Sequence, residues 1–259
     1  MNKFAIVAKK DEISTAIESK IKSTLEKSGW SEDKQLPDLV FCVGGDGTFL
    51  FAAHKYMGLD KKVALLAIHT GTLGFFTDYT KEEVDECLLD VLNKEATYVN
   101  IPLLKIEVTN EKKNTYYAIN EMRIENVIRT QDLVLHIDNE YFENFRGTGI
   151  CLCTQAGSTA YNRSLKGAVV DSGLNLMQLQ EITGIHHSLY HSLGVPLILN
   201  NHRTITFSSS NYDDAILCFD HEHIQLNGVS VIKASMSEMN IQFARYRRIS
   251  YLERIRNLY

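Results

Sequence analysis

The fold of this chain is decided by the stretch LVFCVGGDGTFLFAAH, residues 39–54. It opens on a continuous apolar run, which is typical of a strand buried on both faces of a parallel sheet. The glycine-rich turn GGDG follows at residues 44–47, and a segment of helix-like composition begins at Thr48. Strand-turn-helix units of this kind commonly bind phosphates, which are negative. The carboxylate of Asp46 within this turn therefore needs a chemical explanation.

The segments around this stretch alternate between strand-like and helix-like patterns. KFAIVAK (3–9) and VALLAIHT (63–70) predict two further short strands. Residues 11–28 carry apolar side chains four apart, and residues 81–95 have the pattern of another amphipathic helix. The first stripe consists of Ile13, Ile17, Ile21 and Leu25. This order predicts a Rossmann-like parallel sheet with right-handed crossovers.

From Pro102 onward the pattern changes to short alternating runs, which are typical of antiparallel strands. Two helix-like pieces interrupt them, around residues 158–166 and 177–185, and SYLERIRNLY at the end has the pattern of a short basic amphipathic helix. We therefore expect an α/β domain over residues 1–99 and a mostly β domain over residues 100–245. The strand-like runs are 103–110, 115–124, 133–138, 149–154, 204–209, 215–220, 229–234 and 239–246.

Composition excludes some classes of function. The net charge of −5 over 259 residues gives no indication of nucleic-acid or membrane-surface binding. No apolar run reaches the roughly 20 residues of a membrane-spanning helix, and the first residues lack the pattern of a signal peptide. An odd number of irregularly spaced cysteines predicts reduced core thiols in a cytoplasmic protein. The cysteines are Cys42, Cys87, Cys151, Cys153 and Cys218.

Metal binding by cysteine or histidine has little support in the sequence. Cys151 and Cys153 form a CxC pair, but no second pair lies at zinc-finger spacing. His187 and His191 are four apart and follow His186, yet the glutamate of an HExxH motif is missing. We interpret these histidines as helix-surface residues.

The turn at Asp46 matches neither of two common phosphate-binding turns. A P-loop requires a lysine after its last glycine, and none follows Gly47. The dinucleotide fingerprint requires a third glycine where Leu50 stands. Two interpretations remain for Asp46. It is either a turn former with Thr48 as the helix N-cap, or a general base that takes a proton from an attacking hydroxyl.

A second glycine-containing turn, HTGTLGFFTDY (69–79), also follows a predicted strand. Gly71 and Gly74 permit close approach of the backbone to a ligand, and Phe75 and Phe76 offer aromatic faces. Ligands of α/β sheets bind at the carboxyl ends of strands, where this turn is expected. Taken alone, the segment is better interpreted as a plain loop that carries core phenylalanines.

Taken together, the motifs resemble the NAD kinase family. GGDGT is shared by a kinase superfamily that includes lipid kinases and phosphofructokinases, and three further segments narrow the choice. They are HTGTLGF with its Leu73-Gly74-Phe75 end, the dipeptide Asn120-Glu121, and GSTAYNRS at residues 157–164. Their order and spacing also fit, and the resemblance covers nearly the whole chain. It is strongest to the compact enzymes of Gram-positive bacteria.

The resemblance implies transfer of the γ-phosphoryl group of ATP to the 2′-hydroxyl of the adenosine ribose of NAD. Asp46 would be the proton acceptor, and Mg²⁺ would arrive with ATP. The phosphate-binding turn would consist of Gly44, Gly45, Gly47 and Thr48. Phe75 would pack near the adenine, and Asn120 and Glu121 would contact the adenosine half of NAD. The further NAD contacts that the resemblance implies are Arg146, Thr148, Ala156, Thr159, Ala160, Tyr161, Asn162, Arg163, Ser164, Thr183 and His221.

Two positions depart from the family pattern. Thr148 stands where the family commonly has an aspartate that reaches the nicotinamide side of NAD, and Ala156 replaces a hydroxyl residue. We therefore expect a modestly altered affinity for the nicotinamide end and unaltered chemistry.

The resemblance also implies an architecture. The expected fold is an α/β domain and a β-sandwich-like domain, with residues 246–259 returning to the first. The expected assembly is a homotetramer whose NAD sites are shared between subunits. Two other classes stay open at this point: a lipid kinase with the same first domain, and a nucleotide sensor without catalysis. The sequence offers no acyl-chain site for the former, and Asp46 argues against the latter.

Overall fold

A computed structural model describes residues 3–59, 61–71, 74–185 and 192–256 of the chain. The chain divides into two compact units, Met1–Ile101 with Asn240–Tyr259, and Pro102–Met239. Two predictions fall outside the described residues. One is the part of the ligand turn that contains Leu73, and the other is the helix surface at His186, His187 and His191. In the described part of the chain, no helix is long and apolar enough to cross a membrane.

The first unit is built on a parallel sheet. Its strand order is β17-β4-β3-β1-β2, and β5 pairs with the carboxyl end of β4. The strands are β1 (Lys3–Ala8), β2 (Ser31–Glu32), β3 (Leu39–Gly44), β4 (Ala64–His69), β5 (Tyr79–Thr80) and the second half of β17 (Val231–Arg245). The helices are α1 (Glu12–Lys27), α2 (Asp46–Tyr56), α3 (Val84–Asn93) and α5 (Tyr251–Arg256). A 3-10 turn, Lys81–Glu83, precedes α3.

Helix α1 begins where a side chain caps it. The carboxylate of Asp11 accepts a hydrogen bond of 2.8 Å from the backbone N–H of Ser14, as an N-cap residue does. Ile17, Ile21 and Leu25 of the predicted stripe are buried, but Ile13 is 48% exposed. The apolar face of α1 therefore starts one turn later than its sequence suggests.

The second unit consists of two antiparallel sheets around one core, to which both contribute apolar side chains. One sheet has the order β10-β9-β14-β17, with the β6–β7 hairpin joined through β6 to β17, and the other has the order β13-β12-β11-β8-β15-β16. Its strands are β6 (Thr97–Thr109), β7 (Lys113–Ala118), β8 (Glu121–Glu125), β9 (Gln131–Ile137), β10 (Glu140–Gly147), β11 (Gly149–Thr154), β12 (Leu176–Ile182), β13 (Leu197–Asn200), β14 (Thr204–Ser208), β15 (Ile216–Phe219) and β16 (Glu222–Gln225). The expected α/β unit and mostly β unit are both confirmed.

The helix predicted around residues 177–185 is wrong, because Leu176–Ile182 forms strand β12. Its leucine, methionine, glutamine and glutamate residues favour helices in isolation. In the sheet, Met177 and Leu179 enter the apolar core, whereas Gln178 bonds the backbone of Ala168 on the other face. The other predicted helix shortens to a 3-10 turn, Ala156–Thr159, and helix α4, Tyr161–Ser164.

Several strand boundaries also differ from the prediction. The run 115–124 is divided at Ile119 and Asn120 between β7 and β8, which belong to different sheets. The runs 229–234 and 239–246 join into the single long strand β17, and β10 has no counterpart among the predicted strands. All five cysteines are buried and free, and burial raises the pKa of the Cys42 thiol.

Candidate functional site

The GGDG turn spans the end of the fully buried strand β3 and the first turn of helix α2. Helix α2 begins at Asp46 with Gly45 as its N-cap, so Thr48 is already inside the helix and is not its cap. Gly44 has φ +157°, and a methyl group there would overlap the side chain of Thr48. A glycine is therefore required where the strand meets the helix. The N–H groups of the helix start give this turn its capacity to bind anions.

The carboxylate of Asp46 joins the two glycine-containing turns. It accepts one hydrogen bond of 2.8 Å from the backbone N–H of Phe75 and one of 3.0 Å from that of Phe76. A methyl group on Gly74 would overlap the same carboxylate. Each carboxylate oxygen has further lone pairs, so Asp46 can still accept a proton or a hydrogen bond from a ligand. The turn at residues 74–76 thus fixes Asp46 and leaves it chemically available.

An open cleft of about 880 Å³ lies beside these two turns within the first unit. It is lined by Gly45, Gly47 and Thr48 of the first turn, by His69 and Gly71 after β4, and by Lys9. Asp11 and Glu12 also line it, so the cleft carries charges of both signs. A cleft with backbone donors, one lysine and one histidine is suited to a phosphate chain.

His69 is a cleft residue that the sequence analysis did not single out. Its Nδ1 accepts a 2.7 Å hydrogen bond from the N–H of Gly71. Burial lowers the pKa of His69, and the negative charge of Asp46 opposes this effect. A neutral imidazole that accepts at Nδ1 carries its proton on Nε2, which lies on the side of Gly45. His69 is therefore a neutral hydrogen-bond donor beside the GGDG turn.

In the second unit, Asn120 and Glu121 are buried at the start of β8. The backbone N–H groups of Ile119 and Asn120 each donate a 2.7 Å hydrogen bond to the carboxylate of Asp220. Within the described chain, Asn120 Oδ1 and Glu121 Oε2 are buried without a hydrogen-bond partner. Burial raises the pKa of Glu121 to about 7, assisted by the charge of Asp220. These unsatisfied oxygens are suited to the polar groups of a ligand.

The GSTAY segment packs directly on Asn120. A methyl group on Gly157 would overlap the carbonyl oxygen of Asn120, so this glycine permits the close approach. The hydroxyl of Thr154 ties the two segments together by donating to the carbonyl of Ile119 at 2.6 Å. The backbone N–H of Tyr161 also opposes the rise in the pKa of Glu121. The structure thus brings together the predicted ligand residues Asn120, Glu121 and the segment from Gly157 to Tyr161.

Tyr161 is held by two side chains that the sequence analysis missed. Its hydroxyl donates to Glu125 Oε1 at 3.0 Å, and the guanidinium of Arg123 lies 4.0 Å from its ring centroid. Arg123 in turn donates to both oxygens of Glu125, at 3.0 and 3.1 Å. Burial and the charge of Glu125 raise the pKa of Tyr161. The available sequence signal is the alternation along β8, which places Glu121, Arg123 and Glu125 on one face.

The other predicted ligand residues of the second unit form three smaller groups. Thr159 donates its hydroxyl to the carbonyl of Ala156, and Asn162 is buried, whereas Ala160, Arg163 and Ser164 are partly exposed or exposed. Arg146, Thr148 and Thr183 lie near one another, since Thr148 N–H donates to Ile182 and Ile185 N–H donates to Arg146. His221 follows Asp220 and lies 3.4 Å from Glu222.

Comparison with known proteins identifies the family. Residues 3–96 match the family model of the ATP-NAD kinase N-terminal domain, and residues 117–246 match that of the ATP-NAD kinase C-terminal domain. The chain belongs to the NAD kinase family. This confirms the resemblance drawn from the GGDG, Asn-Glu and GSTAY segments, and it makes the protein a kinase.

Relatives and solved structures of the NAD kinase family cover nearly the whole chain. NAD kinase 1 of Bacillus subtilis is 33% identical over 98% of this chain and 97% of its own length. An NAD kinase of Staphylococcus aureus (strain JH9) is 34% identical over 98% of this chain and 96% of its own.

Two solved structures of the family share the fold. A yeast NADH kinase complexed with NADH has a TM-score of 0.84 at 19% identity and covers 100% of this chain and 86% of its own. An NAD kinase from Archaeoglobus fulgidus in complex with ATP has a TM-score of 0.76 at 23% identity and covers 99% and 96%.

Proposed function

We propose that this protein transfers the γ-phosphoryl group of ATP to the 2′-hydroxyl of the adenosine ribose of NAD, which yields NADP and ADP. The observation that carries this proposal is the environment of Asp46 in a chain of the NAD kinase family. A carboxylate fixed by two backbone N–H groups, next to a phosphate-type turn, is suited to a general base for a hydroxyl.

The proposed reaction forms one bond to phosphorus and breaks another, and Asp46 receives the released proton. The ribose oxygen forms a bond to the γ-phosphorus, the bond between that phosphorus and the bridging oxygen of ADP breaks, and the hydroxyl proton passes to the Asp46 carboxylate. Because Phe75 and Phe76 donate one hydrogen bond to each carboxylate oxygen, the side chain keeps one orientation. A fixed base of this kind lowers the barrier mainly through positioning.

The phosphates of ATP are assigned to the cleft of the first unit. Gly44, Gly45, Gly47 and Thr48 supply the turn and the helix start, and neutral His69 supplies a donor. In the described chain, no group of three His, Cys, Asp or Glu side chains could hold a metal ion. As the resemblance implies, we assign Mg²⁺ to the phosphates of ATP itself, where it would neutralise charge that develops during transfer.

The adenosine half of NAD is assigned to the group at Asn120, Glu121 and Tyr161 in the second unit. The unsatisfied oxygens of Asn120 and Glu121 support this assignment, since ribose hydroxyls and the adenine amino group are donors. The aromatic ring of Tyr161 offers a stacking surface for the adenine. Arg146, Thr148, Thr183 and His221 are proposed for the remainder of NAD.

The assembly and location expected from the resemblance are also proposals: a homotetramer in the cytoplasm, with NAD sites shared between subunits. One observation on the second unit favours self-association. Four large apolar side chains are exposed there: Ile185 by 42%, Leu193 by 38%, Val195 by 59% and Ile198 by 52%. Large apolar side chains left exposed close together in sequence are candidates for an interface between copies of the chain. Light scattering coupled to size exclusion would measure the mass.

One assay tests the proposed function. The purified protein is incubated with ATP, Mg²⁺ and NAD, and NADP is measured by an NADP-specific dehydrogenase, with reactions lacking each component as controls. We expect NADP only in the complete reaction. Absence of NADP, with ATP hydrolysed or untouched, would contradict the proposal.

A further inference from the structure

Phe75 is the junction between Asp46 and the C-terminal helix α5. Its backbone N–H donates to Asp46, and its carbonyl oxygen accepts a 2.9 Å hydrogen bond from Arg254 Nη1. Its ring meets the ring of Tyr251 edge-on, with centroids 5.5 Å apart. One residue thus contacts the proposed base on one side and α5 on the other.

Arg254 is a buried residue of the first unit whose side chain donates several hydrogen bonds. Its side chain is only 2% exposed, and its Nη1 also donates to the carbonyl of Thr77 at 2.7 Å. Its Nη2 donates to the carboxylate of Asp78, which is likewise buried. A planar guanidinium reaches all three acceptors at once, whereas an ammonium group has no comparable fork. These contacts fix the carbonyl groups of Phe75 and Thr77, the residues on either side of Phe76.

Contacts with other elements also restrict movement of the turn that contains Phe75 and Phe76. The ring of Phe76 stacks on that of Phe49 in helix α2, with centroids 4.6 Å apart. Arg247 donates to the backbone carbonyl of Asp78 at 2.6 Å and pairs with Glu83. The turn is therefore packed on α2, the segment after β17 holds the adjoining Asp78, and Arg254 supplies the contact to the carbonyl groups from α5.

We propose that Arg254 is a positioning residue that fixes the peptide plane between Phe75 and Phe76 and so aims the N–H of Phe76 at Asp46, by which the C-terminal helix sets the orientation of the proton acceptor. The carbonyl of Phe75 and the N–H of Phe76 belong to one peptide plane, so a guanidinium that holds this carbonyl blocks rotation of the plane. A second contact, to the carbonyl of Thr77, anchors the guanidinium on the other side of Phe76. This inference rests on the proposed function, because it assigns a role relative to the base.

The first test compares two substitutions within the same helix. Arg254→Lys keeps the positive charge beside Asp78 but loses the fork, and Arg256→Lys makes the same exchange at an exposed position. We expect Arg254→Lys to lower kcat about tenfold, since a small misplacement of a base is costly. The KM values for NAD and ATP should stay within about twofold, because binding residues are untouched. Arg256→Lys should match the wild type.

A second variant separates positioning from stability. Arg254→Met combined with Asp78→Asn removes the buried carboxylate together with its buried cation; the second cation, Arg245 at 3.8 Å from that carboxylate, is 28% exposed and keeps access to solvent. The double variant still lacks the donors to Phe75 and Thr77, and we expect kcat to fall by at least about tenfold while circular dichroism matches the wild type.

Wild-type kcat in a folded Arg254→Lys or double variant would overturn the inference, as would a rise in KM that accounts for the whole loss of activity. Failure of the wild type and of Arg256→Lys to make NADP would instead overturn the proposed function.

Discussion

In the first unit, backbone N–H groups hold Asp46, whereas in the second unit a side-chain ion pair holds Tyr161. The carboxylate of Asp46 receives the N–H groups of Phe75 and Phe76, and the hydroxyl of Tyr161 donates to Glu125, which is paired with Arg123. The difference matches the proposed tasks. Chemistry on a phosphoryl group depends on exact placement of one base, and a backbone cradle supplies it. Recognition of a base or ribose relies on a side-chain surface.

The comparison predicts that the backbone cradle is sensitive to a single methyl group. Gly74→Ala would push its methyl into the Asp46 carboxylate. We expect kcat to fall about 100-fold with the KM for ATP little changed, because the base is displaced from the reacting hydroxyl. Gly58→Ala is the matched control, since a methyl there meets no atom within 4 Å. Equal activity of both variants would show that the cradle does not position Asp46.

Substitutions in the side-chain network around Tyr161 should instead change the KM for NAD. Tyr161→Phe removes the hydrogen bond to Glu125, and Glu125→Gln removes its charge-assisted acceptor. We expect each to raise the KM for NAD about fivefold, the effect of losing roughly one hydrogen bond. The double variant should be no worse than either single variant, as residues acting as one unit are not additive. Full additivity would mean that Glu125 does not act through Tyr161.

A control for the network lies elsewhere in the second unit. Asp214 pairs with Arg129 at 2.7 Å on the surface, and exposed pairs contribute little. Asp214→Asn should leave the KM for NAD unchanged.

Glu143, a buried residue of the second unit, should make the free energy of unfolding depend on pH. Burial, with the charge of Glu181, raises the pKa of Glu143 to about 7 from 4.5. Because the folded state binds this proton more tightly, the stabilisation is complete below pH 4.5 and is lost as pH rises through 7. The melting temperature of the unliganded protein should therefore fall less between pH 5 and pH 8 in Glu143→Gln than in wild type. Glu140→Gln, at an exposed position of the same strand, should retain the wild-type pH dependence.

The smallest effect is expected at Thr148. Thr148→Asp restores the carboxylate that the family pattern leads us to expect, and it should lower the KM for NAD about threefold through one added hydrogen bond. Thr148→Asn serves as the uncharged comparison. An unchanged KM for NAD in the aspartate variant would remove Thr148 from the account of nicotinamide recognition.

The two regions differ in how far the sequence predicts them. Strand β3, its glycine turn and Asp46 are contiguous, so local pattern and motif locate them correctly. The partners of Asp46 lie some 30 residues away, and Arg254 lies 179 residues from Phe75. No local pattern encodes such contacts. Strand β12 was predicted as a helix because Met, Gln, Leu and Glu favour helices until neighbouring strands provide hydrogen bonds.

The same limit explains the missed residues of the second unit. Arg123 and Glu125 look like an ordinary charged face of a strand, and Asp220 looks like a turn residue after β15. Only the fold shows that Asp220 holds the backbone of Asn120 and that Glu125 holds Tyr161. Side chains that act by supporting other residues carry no motif of their own.

The central claim is that Asp46 takes the proton from the 2′-hydroxyl, and Asp46→Asn tests it most directly. The asparagine keeps the shape and can still accept from Phe75 or Phe76, but it cannot act as a base. The account predicts calorimetric NAD affinity within about twofold of wild type and NADP formation reduced at least about 1,000-fold. Turnover within about tenfold of wild type in this variant would contradict the account.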